Sequence, residues 1–133
     1  MIPNDYRWWT RYEGIKYADC NCAELAERVQ REVFGRELSL PEARRSIGYN
    51  SRLIEANLGN YGLRTESPTD GDAVLFVNGH LWHVGTFFRH EDVNFVLHTS
   101  KKSIWSMTHA IRDLNTLNLK IEGFYQWKTG EKA

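Results

Sequence analysis

Two cysteines, Cys20 and Cys22, and five histidines, His80, His83, His90, His98 and His109, are the side chains of this sequence suited to nucleophilic and acid–base chemistry. A nucleophilic cysteine acts as its thiolate, and a helix N-terminus favours that anion through free N–H groups and the helix dipole. The thiol also needs a base within hydrogen-bond reach, and the base needs a partner that orients it. Cys22 is the cysteine placed for such work, and Cys20 precedes the helix. Among the histidines, His80 abuts the turn signal Asn78-Gly79 and His90 lies in the polar run 89–92, so both are expected in solvent. His83 and His98 lie within apolar runs that read as strands, and His109 falls in the short helix expected around 104–114.

The elements that must position these groups follow from periodicity. Cys22, Leu25, Ala26, Val29 and Val33 share one helical face, while Glu24, Glu27, Arg28, Arg31 and Glu32 cover the other. Asp19 or Asn21 can cap the start, and Gly35 can end the helix in a left-handed turn. A second helical region is expected over 41–58, with Pro41 at a first-turn position, followed by a loop over 57–62. The second half reads as an antiparallel meander: 73–77, a hairpin at Asn78-Gly79, 81–88, and 93–99. A short helix around 104–114 and a last strand over 119–127 complete an α+β domain. If residues 89–92 form a four-residue loop, Phe88 pairs with Val93 and His83 lies directly opposite His98, with Cβ atoms about 5 Å apart. His98 would then hold the His83 ring in one tautomer, the third role of a catalytic triad.

Composition bounds the rest. The 133 residues, 41% apolar and 13% aromatic, suit one domain with one core. It is expected over 1–133, with 1–9 and 128–133 as extensions; Trp8 and Trp9 could be core, a peptide-binding rim or a protein contact. Seventeen basic and seventeen acidic residues balance, giving no electrostatic case for nucleic acid. No apolar stretch is long enough to span a bilayer, and the first eleven residues lack the apolar core of a secretory signal. Synthesis in a cytoplasm is therefore expected. Cysteines separated by one residue cannot bridge without strain, so both are read as reduced thiols.

The segment Asn21-Cys22-Ala23-Glu24-Leu25, continuing through Val29, 31–35 and Leu38 to Pro41, resembles the nucleophile helix of the NlpC-type cell-wall endopeptidases, in the version found in phage tails. Gly71-Asp72-Ala73-Val74-Leu75-Phe76 is similar to the strand leading to that family's histidine, His83-Val84-Gly85-Thr86-Phe87 to its base strand, and Phe95-Val96-Leu97-His98-Thr99 to the strand bearing its third polar residue. Glu122-Gly123-Phe124-Tyr125 resembles the closing strand, and Tyr12-Glu13-Gly14 sits where the family places a tyrosine near the oxyanion. The resemblance implies a papain-like fold and hydrolysis of amide bonds in peptidoglycan stem peptides. It implies Cys22, His83 and His98 as catalytic residues, with Tyr12 lining the site and no cofactor. Other phage tail proteins would be partners, with the virion tail tip as location. The sequence departs from the family at Asn21, where Asp is usual, and at Ala23-Glu24, where a small residue and Gly are usual.

Three other readings stand beside this one. A cysteine on an apolar stripe also serves as a small core residue, which would make the chain a structural tail component with an inert site. A peptidoglycan amidase delivered by a secretion system would carry the same residues, as would an intracellular amidase or transferase acting on another acyl group. Zinc held by Cys20, Cys22, His83 and His98 is disfavoured by C-x-C spacing, shorter than structural zinc sites use, and no metal is expected.

Overall fold

A computed structural model describes residues 7–38, 62–78, 81–99, 103–117 and 119–128. The chain begins with a 3₁₀ turn, Trp8–Tyr12, whose aromatic rings are buried. Trp8 packs edge-on against Phe34 and Phe88, and Trp9 stacks on Phe88 with centroids 4.2 Å apart. The two tryptophans, expected in an extension, are core. The α-helix α1, Cys22–Glu32, follows. It starts where it does because Asn21 and Glu24 cap it reciprocally: the Glu24 N–H donates to the Asn21 side chain and the Asn21 N–H to the Glu24 carboxylate, each at 2.9 Å. Its stripe of Cys22, Leu25, Ala26 and Val29 is buried, each large aliphatic contributing about 1.5–3 kcal/mol by leaving water. Past its end, Gly35 takes a positive φ of 64°, the left-handed conformation that glycine adopts without strain.

Six strands form one antiparallel sheet: β1, Gly62–Thr65; β2, Ala73–Asn78; β3, Leu81–His90; β4, Val93–His98; β5, Met107–Ala110; and β6, Lys120–Trp127. Their spatial order is β1-β6-β2-β3-β4-β5. Strands β2 to β5 run as a meander, and β6 returns to pair with both β1 and β2. Because successive side chains point to opposite faces, the sheet has two distinct sides. Ala73, Leu75 and Val84 pack under the start of α1, with Phe88 and Leu97 under its later turns. Val74, Phe76, Phe87 and Val96 point the other way, where Leu114 covers them. The architecture is α+β, as the sequence indicates.

Three expectations change. The β3–β4 connection is a two-residue turn, Glu91 and Asp92, both at positive φ (51° and 66°), closing on the pair His90↔Val93. The four-residue loop is thus absent, and the register is shifted by two from the one expected. The segment around 104–114 is not one helix: its middle forms β5 and a 3₁₀ turn, Ile111–Leu117, follows. Pairing with β5 satisfies the outer main-chain groups of β4, which are otherwise costly to bury. Residues 62–65, at the end of an expected loop and beyond, form a strand against β6. The helix expected over 41–58 lies outside the described residues.

Candidate active site

Cys22 opens α1 and is 5% exposed. It sits among Ala23, Ala26, Leu38, Ala73, Leu75, Val84 and Trp127. Burial pushes its thiol up to about 11, outweighing the backbone at Val84, Ala23 and Cys22 itself, which favours the anion. The helix N-terminus therefore does not lower the thiol as the sequence reading expects: burial outweighs the backbone donors, and the resting thiol is protonated at pH 7. Asn21 and Glu24 are the capping pair that fixes this first turn.

His83 and His98 share the opposite face of the sheet. His83 pairs with Phe76 across β2–β3 and stacks on its ring at 4.7 Å. The β3–β4 pairing Thr86↔Leu97, carried one step further, sets His98 opposite Gly85, two residues from His83. A shift of two keeps both rings on one face, and their centroids are 6.1 Å apart with planes 20° from parallel. Gly85 makes room: a Cβ there would come within 3.1 Å of His98 Cβ and 2.9 Å of the Leu97 carbonyl oxygen. Burial pushes His83 down to about 4. Burial, then the neighbouring His83 and His109, pushes His98 down to about 3. Both rings are neutral at pH 7. Among the described residues, His83 Nε2 and His98 Nδ1 are buried without hydrogen-bond partners.

The structure thus brings His83 to His98 but sets Cys22 against β3 from the other side. Cys22 meets that strand at Val84, the residue after His83. Tyr12 is not brought to the thiol: its hydroxyl donates to Glu32 at 2.7 Å, at the far end of α1 and about 15 Å of helix rise from Cys22. The tyrosine near the thiol is Tyr17, whose hydroxyl is pushed up to about 12 by burial and then by Cys22 and Glu24. Its position five residues before Cys22 was the available signal. Trp127, whose indole N–H is buried without a partner, closes the Cys22 cluster. Cys20 packs with Trp8, Tyr12 and Leu25, its thiol raised first by burial. Among the described residues no three His, Cys, Asp or Glu side chains are grouped to hold a metal ion. No described helix is long and apolar enough to cross a membrane.

Sequence reasoning also left out His109. On β5 it pairs with Val96, on the histidine face, and its Nδ1 lies 2.8 Å from His98 Nε2. Compared with protein-family models, with curated proteins and with solved structures, the chain finds no match.

Proposed function

We propose that this chain is a papain-like cysteine hydrolase that cuts amide bonds in peptidoglycan stem peptides, carried in a phage tail tip to the cell wall. The observation that carries the reading is the packing of Cys22, the first residue of α1, in one cluster with Val84, the residue after His83. The candidate nucleophile and base thus meet the same stretch of β3, in the chain order cysteine, histidine, histidine of the enzymes the sequence resembles. In the reaction, His83 takes the thiol proton and the sulfur attacks the scissile carbonyl. The N–H groups at the helix start receive the oxyanion. The leaving amine takes the proton from His83, and water then releases the acyl group and restores the thiol. With the ring and the sulfur on opposite sides of β3, this reading requires the start of β3 to turn His83 toward Cys22 when substrate binds. Tyr12, bonded to Glu32, has no part.

A second reading, an inert structural tail protein, is favoured by the burial of Cys22 and by the strand between thiol and imidazole. One experiment separates the two. Purified muropeptides are incubated with wild type and Cys22→Ala, and products are identified by mass spectrometry. New peptide termini from wild type alone are expected. Equal product from both would exclude Cys22 as nucleophile. No product from folded wild type, with alkylation of Cys22 as slow as that of Cys20, would establish the structural reading.

A further inference from the structure

Three histidines cross three neighbouring strands on one sheet face: His83 on β3, His98 on β4 and His109 on β5. The outer link is closed, with His98 Nε2 and His109 Nδ1 2.8 Å apart and ring centroids at 5.0 Å. The inner link is open: the His83 and His98 centroids, at 6.1 Å, stand about an ångström wider than those of the bonded pair, and no hydrogen bond joins the two rings. The atoms left without partners on these two rings are His83 Nε2 and His98 Nδ1. One nitrogen on each ring is thus orphaned in a buried site, and one bond between them would satisfy both.

We infer that His109 is a positioning residue that fixes the tautomer of His98 and, through it, that of His83. The inference deepens the hydrolase reading and rests on it for the catalytic consequence. His109 keeps Nδ1 bare and accepts from His98 Nε2–H. His98 is then bare at Nδ1 and able to accept from His83 Nε2–H when the two rings draw together. His83 is left bare at Nδ1, the atom that must take the thiol proton. Reversing the outer bond would put a proton on His98 Nδ1 and deny His83 an acceptor. His109 is partly exposed, so the row runs from the buried base toward solvent.

Long-range ¹⁵N–¹H spectra of the imidazoles at pH 7 test this in the full chain, beside muropeptide kinetics. Wild type is expected to show His98 protonated on Nε2 alone. His109→Leu is expected to give a mixed His98 tautomer and a kcat lower by about tenfold or more, with KM unchanged. His109→Asn, whose amide oxygen can accept in place of Nδ1, is expected to restore the single tautomer and most of kcat. A His98 that stays on Nε2–H in His109→Leu, with kcat unchanged, overturns the inference. Should that variant fail to fold, wild type decides alone, since His98 protonated on Nδ1 also overturns it. A chain without turnover whose His98 tautomer follows residue 109 leaves the role of His109 standing and refutes the hydrolase reading instead.

Discussion

A Cβ on Gly85 would lie 2.7 Å from Val96 Cγ2 and 2.9 Å from the Leu97 carbonyl oxygen. The carbonyl oxygen cannot withdraw without moving β4. Gly85→Ala is therefore expected to destabilise the chain by about 1–3 kcal/mol, read as a lower urea midpoint with an unchanged slope; an unchanged midpoint would mean that β4 yields freely. The glycine after His83 is thus explained by its neighbour: it leaves the space that His98 fills. At this scale the sequence identifies Cys22, His83 and His98 as the chemically notable residues. It named Tyr12 and passed over Tyr17, because which tyrosine nears the thiol depends on which end of α1 the preceding turn reaches. Nor could it show that a single strand separates the thiol from the imidazoles, since side-chain facing depends on how α1 docks.

For the elements, the start of α1 was legible because its signals are local. The apolar stripe and a cap at Asp19 or Asn21 mark it, and Glu24 at the third helical position decides for Asn21 by completing a capping box. Asn21→Ala is expected to cost about 1 kcal/mol, measured by urea unfolding, and to loosen the turn that holds Cys22; no loss would show that α1 is held by packing alone. The β3–β4 turn was misread for an equally physical reason. Two-residue hairpin turns with both φ positive ordinarily carry Asn-Gly, and Glu91-Asp92 gives no such signal. The resulting register differs by two residues, which preserves the shared face of His83 and His98 and replaces their direct opposition with a diagonal. β1 and β5 are four residues each, too short for alternation to declare them. Met107 to Ala110 are all half-buried, so no polar face marks the strand.

Across the whole molecule, buried titratable groups set the pH range of stability. His83 and His98, ordinarily near 6.5, are held near 4 and 3 in the fold. The unfolded chain therefore binds protons first, and stability falls as pH drops below about 6.5, by at most roughly 1.4 kcal/mol per pH unit for each histidine. Cys22 works in the opposite direction: its folded value, about 11, lies above the ordinary 9.0, so stability falls as pH rises from 9 toward 11. Thermal unfolding midpoints are expected to form a plateau between about pH 7 and 9 and to decline on both sides. A midpoint unchanged from pH 7.5 to 4.5 would contradict the burial of the histidine row. The strand order has a different consequence. Long strands fill the middle of the sheet, while β1 and β5, the shortest, form its margins. The rows of unpaired main-chain groups offered to another chain are correspondingly brief, which limits the edge-to-edge pairing through which sheets aggregate.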